Sequence, residues 1–128
     1  MNKTQLNDLS REILHASIEV HKELGPGLLE SIYEICLIKE LKSRKIQLRN
    51  QVILPIIYKG EMVDRSLKLD ILVEREIIIE LKAVEELNEL HEAQIITYLK
   101  LADKRLGFLI NFNVPLLKFG FNRFVNNF

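Results

Sequence analysis

The chain has 128 residues, 48% hydrophobic and 28% charged, and its 18 basic and 18 acidic side chains cancel to a net charge of +0. That length suits one domain and no second, with enough buried surface to fold unstapled. The even charge balance argues against a broad phosphate-binding surface, so any contact with nucleic acid must be local.

The lone Cys36 cannot form an intramolecular disulfide, and the chain opens with polar Met1-Asn2-Lys3-Thr4 rather than a signal peptide. No apolar run approaches the ~18 residues needed to cross a bilayer. A cytoplasmic protein with no membrane partner is expected.

In chain order, Leu6, Leu9, Ile13, Ala16, Val20 and Leu24 recur at steps of three and four, which predicts an amphipathic helix over about 4–24. Gly25-Pro26-Gly27 stops it. A second helix is predicted from Leu28 to about Arg44, with Leu29, Ile32, Ile35 and Cys36 as its buried stripe. The pattern then turns extended. Gln51 to Tyr58 reads as a strand whose Pro55 implies an edge or a bulge, followed by a turn at Lys59-Gly60-Glu61. Leu67, Leu69, Ile71 and Val73 alternate with Lys68, Asp70, Leu72 and Glu74, a strand with one strongly apolar face. After a turn at Glu74-Arg75-Glu76, Ile77 to Lys82 is a β-branched run suited to a central strand buried on both faces. Asn88 caps a third helix running to about Ala102, with Glu89 and Glu92 in its first turn. Leu106 to Phe112 is a further buried strand. The tail from Leu116 reads as a short strand and then a short helix around Asn122 to Asn126. The sum is one α/β domain over 1–128, a mixed sheet packed against helices.

The chemistry concentrates between Leu67 and Lys82. If the turn centres on Arg75, Asp70 lies opposite Glu80 and Lys68 opposite Lys82, on one face of an antiparallel pair. A turn of the other parity would put the acids on opposite faces. Two apposed carboxylates repel unless a cation lies between them, and a divalent ion such as Mg²⁺ takes oxygen ligands and keeps several waters. Glu80 and Lys82 are two apart on a strand, so both project to one side while Leu81 enters the other layer. An ammonium beside a metal can position or help deprotonate water and offset charge on phosphate. A plain Glu–Lys pair at a sheet margin is the alternative: Glu40-Leu41-Lys42 has the same spacing on a helix, as surface decoration. What distinguishes Glu80-Leu81-Lys82 is its place at the end of an Ile-Ile-Ile run, where unpaired charge is costly.

On the third helix His91, Gln94 and Tyr98 form a polar stripe opposite a buried Ile95, Leu99 and Ala102. On the second, Glu30 and Tyr33 are i, i+3 neighbours; Glu30 serves the helix dipole and Tyr33 sits half in the core on the simplest account. His15 reads as solvated, His21 as a cation near a helix end or a lining residue, and Cys36 as a small core residue. No Cys/His spacing suggests zinc.

Gly27-Leu28-Leu29-Glu30-Ser31-Ile32-Tyr33 resembles the signature of the GxxExxY family, small proteins of the PD-(D/E)XK nuclease superfamily. The resemblance extends from Ile18 to Val114, through Leu69-Asp70-Ile71, Ile79-Glu80-Leu81-Lys82, His91-Glu92-Ala93-Gln94 with Tyr98, and Leu109-Ile110-Asn111. It implies an αβββαβ core and a metal site of Asp70, Glu80 and the Leu81 carbonyl, with Glu30 as the first-helix acid that completes such sites. It further implies that Lys82 is catalytic and that Gln94 and Tyr98 match a Gln-x-x-x-Tyr element of the exonuclease branch. Lys68 stands where relatives often carry Arg, with the charge kept.

These readings converge on a nuclease dependent on Mg²⁺ or Mn²⁺ and acting on DNA or RNA. The alternative is a catalytically silent module on the same fold that binds nucleic acid or a protein. A homodimer is a third reading, with the Phe-rich tail (Phe119, Phe121, Phe124, Phe128) serving either as its apolar interface or simply as core.

Overall fold

A computed structural model describes all residues, 1–128. The first helix, α1 (Lys3–Leu24), is held at its start by a capping box. The Asn2 side chain accepts from the Gln5 amide and the Gln5 side chain returns the contact. The apolar positions seen in the sequence are its buried face: Leu6, Leu9, Ile13, Ala16 and Val20. It ends at Gly25, whose φ of 70° an L side chain rarely adopts.

Helix α2 (Glu30–Ser43) buries Tyr33, Leu37 and Leu41. This corrects the expected stripe. Leu29, Ile32 and Ile35 face outward, and only Cys36 is partly covered. Apolar side chains lie all round this helix, so periodicity alone does not choose a face; packing on α1 and the sheet does.

The main sheet has five strands in the order β1-β4-β5-β6-β7, with β2 and β3 forming a separate two-stranded ribbon. The ranges are β1 Leu48–Ile53, β2 Ile56–Tyr58, β3 Glu61–Asp64, β4 Lys68–Val73, β5 Ile77–Lys82, β6 Leu106–Asn111 and β7 Phe121–Val125. Pro55 breaks the predicted 51–58 strand, leaving β1 on the sheet edge and sending the chain out into the β2–β3 ribbon. Between β5 and β6, which run parallel, α3 (Glu89–Ala102) makes the crossover. The tail is a 3-10 turn at Leu117–Phe119 and then β7, so the helix expected around Asn122 to Asn126 is a strand. Phe121 stacks on Phe108 at 4.7 Å and Phe124 packs under α3's apolar side, which fixes the tail to the sheet edge.

The sheet divides the interior into two cores. Ile71, Val73, Ile77, Ile79 and Leu81 pack towards α1 and α2, while Leu69, Leu72, Ile78 and Leu109 pack with Ile95, Tyr98 and Leu99 of α3. Helices on both faces explain why β5 is apolar on both sides until Glu80.

Candidate active site

The tight turn between β4 and β5 places Glu74 and Arg75 at positive φ, 51° and 60°. Ile71 pairs with Ile79, Leu72 with Ile78 and Val73 with Ile77; the ladder ends one step short of Asp70 and Glu80, whose carboxyl groups nevertheless lie close enough to interact. Asp70 is fixed by the Leu81 amide, which donates to its Oδ2 at 2.9 Å. Glu80 alternates with Ile79 and Leu81 and is 7% exposed, on the side of Ile78 and Tyr98. Its Oε1 is buried with no hydrogen-bond partner.

Burial pushes the Glu80 carboxyl up to about 10, and the neighbouring Asp70 carboxylate adds to the effect by hydrogen bonding and repulsion; Lys82 pulls the other way. The same pair reaches Tyr98. Burial first, then the charges of Glu80 and Asp70, raise its phenol above the ordinary value. Tyr98 is thus a core residue of α3 beside the acids, not part of an exposed polar stripe. Gln94 is exposed one turn earlier. His91 closes the α3 capping box instead, its Nδ1 accepting from the Asn88 amide at 3.2 Å. Lys82 ends β5 half-buried, beside Asn111 of β6.

On its other side Asp70 opens into a cleft of about 420 Å³ lined by Glu30, Ser31, Glu34, Gln51 and Leu81. Glu30 is exposed at this mouth. Glu34, which sequence reasoning missed, is more enclosed: Gln51 Nε2 donates to its two oxygens at 3.0 and 3.2 Å. Burial raises the Glu34 carboxyl, the Gln51 hydrogen bond opposes this, and repulsion from Asp70 adds to it. Its i, i+4 spacing from Glu30 was the available signal.

The motif tyrosine has a different job. Tyr33 is fully buried and stacks on Phe112 at 4.6 Å, while its hydroxyl donates to Gly25 O at 2.6 Å and accepts from Leu28 N at 3.1 Å. It ties the Gly25–Gly27 loop to the core and so sets where α2 begins. Tyr33→Phe keeps the stack and loses both bonds; an unfolding free energy lower by about 1–3 kcal/mol is expected in urea titrations. A change below about 0.5 kcal/mol, within the range of neutral substitutions, would show the tie to be idle. His21 is buried near the end of α1, its Nε2 2.8 Å from Val114 O, and braces that helix against the 113–116 loop.

The donor set can be tested for fit to a metal. Two neighbouring carboxylates, one of them with a buried oxygen that has no partner, suit a hard divalent cation with oxygen ligands. No three His, Cys, Asp or Glu side chains converge closely enough to hold an ion by themselves. An ion here would therefore keep several waters, as Mg²⁺ does.

A mixed sheet with one parallel crossover, flanked by helices and bearing this acidic pair near its end, defines a nuclease-like α/β domain. The PD-(D/E)XK nuclease superfamily matches residues 7–124, nearly the whole chain, and the chain belongs to that superfamily. The αβββαβ core expected from the sequence is present as α2, β1, β4, β5, α3 and β6. No curated protein and no solved structure matches the chain. No helix is long and apolar enough to cross a membrane.

Proposed function

We propose that this protein is a nuclease that hydrolyses phosphodiester bonds of DNA or RNA with Mg²⁺ or Mn²⁺ held by Asp70, Glu80 and the Leu81 carbonyl, Glu30 completing the set through a water from the mouth of the cleft. The Gly27, Glu30 and Tyr33 spacing supports the narrower GxxExxY assignment. The observation that carries the reading is the buried, unpartnered Glu80 oxygen beside the Asp70 carboxylate. A structural role alone would leave that desolvation uncompensated.

When bound, such a cation polarises a scissile phosphate and lowers the pKa of an attacking water. The chain's own groups supply the rest. The Leu81 amide keeps Asp70 aimed. Glu80 must release its proton to become a ligand. Lys82, two residues on, offsets the negative charge that grows on phosphate in the transition state. The raised Tyr98 phenol stays protonated and can donate a hydrogen bond, and Gln94 can orient a phosphate from the rim.

The test is cleavage of single- and double-stranded DNA and RNA with Mg²⁺ or Mn²⁺. Asp70→Ala and Lys82→Ala, folded by circular dichroism, are expected to lose about 100-fold or more. Cleavage that survives both substitutions, or none on any substrate, would refute the assignment.

The net charge of +0 favours a second reading, a catalytically silent binding module on the same fold. Nucleic-acid affinity indifferent to Mg²⁺, with no metal uptake by the free protein in calorimetry, would select it.

A further inference from the structure

The β2–β3 ribbon is unexplained by the fold or by the site. It leaves the sheet after Ile53, at the end of β1, and returns at Lys68, the start of β4. It therefore projects from the same end of the sheet as Asp70 and as Lys82, the last residue of β5.

A ribbon of two strands is marginally stable in water unless something covers it. Here no helix or other strand packs extensively against it. Its apolar side chains are bare: Ile57 is 54% exposed, Tyr58 62%, Met62 50% and Val63 59%. Ile57 pairs with Met62 across the strands, while Tyr58, its neighbour in the chain, pairs with Glu61 and points to the other face. Apolar surface thus lies on both faces.

Cations accompany it. Lys59 and Gly60, at φ 49° and 84°, make a tight turn that sets Tyr58 and Lys59 at the tip, with the Lys59 ammonium 5.4 Å from the centre of the Tyr58 ring. Arg65 and Lys68 are exposed at the base. The protein's ion pairs involve Met1, Arg11 and Arg44, and leave these cations free. Of the two acids on the ribbon, Asp64 is engaged by the Ser66 amide and hydroxyl.

We infer that this ribbon grips a single strand of nucleic acid beside the site, with unstacked bases on Tyr58 and phosphates on Lys59, Arg65 and Lys68. The inference rests on the nuclease reading and narrows its substrate. With a net charge of +0 the chain has no basic surplus to draw on, and an exposed aromatic beside three free cations lets stacking on base faces supply part of the affinity. Duplex DNA hides those faces and a single strand presents them.

The experiment is fluorescence anisotropy of the full-length chain with a fluorescein-labelled oligothymidylate and with a duplex of equal length, in EDTA so that nothing is cut. The single strand is expected to bind more tightly. Tyr58→Ala should weaken it roughly 5- to 100-fold, while Tyr58→Phe keeps most of the affinity. Lys59→Ala should weaken binding and flatten its salt dependence. Equal binding by wild type and Tyr58→Ala, preference for the duplex, or a dimer in sedimentation that Tyr58→Ala dissociates would each overturn the grip. The two readings fail separately. Tyr58-dependent binding without cleavage in Mg²⁺ leaves the grip and removes the nuclease, and cleavage with Tyr58-independent binding does the reverse.

Discussion

Replacing Glu80 by Gln is expected to stabilise the metal-free protein increasingly as pH rises. The Glu80 carboxyl goes from an ordinary 4.5 to about 10 on folding. Between those values the folded chain keeps a proton that the unfolded chain has lost. Stability from this group is thus fully present below about 4.5 and is lost as pH climbs towards 10. One proton corresponds to about 1.4 kcal/mol per pH unit. Between pH 5 and 8 the stability difference between Glu80→Gln and wild type should widen by about 4 kcal/mol in urea titrations without metal. The proposed cation site gives the same proton a second readout. A cation held as proposed requires Glu80 to ionise, so Mn²⁺ affinity measured by calorimetry should rise about tenfold per pH unit over this range, with about one proton released. A stability difference that stays flat with pH would mean that Glu80 is already ionised in the free protein.

Gly120→Ala is expected to be the most damaging single-atom change outside the site. A Cβ at Gly120 would lie 2.0 Å from the Asn111 carbonyl oxygen and 3.0 Å from its carbon, both backbone atoms that cannot swing aside. At this point the Asn111 amide donates to Gly120 O at 2.8 Å. Relief requires β7 to part from β6. Asn111 cannot follow freely, since its side chain accepts from Val84 N at 3.1 Å and donates to Val84 O at 2.9 Å, just past Lys82. A loss of at least about 3 kcal/mol is expected. Gly107→Ala is the comparison. Its Cβ would meet Ile95 Cδ1 and Leu99 Cδ2 at 3.2 Å, side-chain ends that can yield, although Ile78 O is as near. It should cost clearly less, about 1–2 kcal/mol. Similar losses for the two would show that β7 adapts without leaving the sheet.

Much of the architecture follows from local pattern. The three helices appear near their expected bounds because α1 has a clean apolar stripe and both α1 and α3 have Asn caps whose partners lie three residues on. The β4–β5 register was likewise open to derivation, since a short turn centred on Arg75 leaves few pairings that bury Ile77 to Ile79. The tail misled because Phe124 and Val125 near polar Asn122 and Asn126 fit either period, and only the open edge of β6 makes them a strand.

By itself the sequence determined the αβββαβ order of elements and the β4–β5 register, because both follow from spacing within single helices and one hairpin. Tertiary structure alone decided which side of α2 is buried, that Tyr33 braces a loop, that Glu34 and Gln51 close the cleft, and that an apolar ribbon stands free at the site's end. Those outcomes depend on what a residue far along the chain brings to the same place. Phe112 beneath Tyr33 and Gln51 against Glu34 are contacts that no local period encodes.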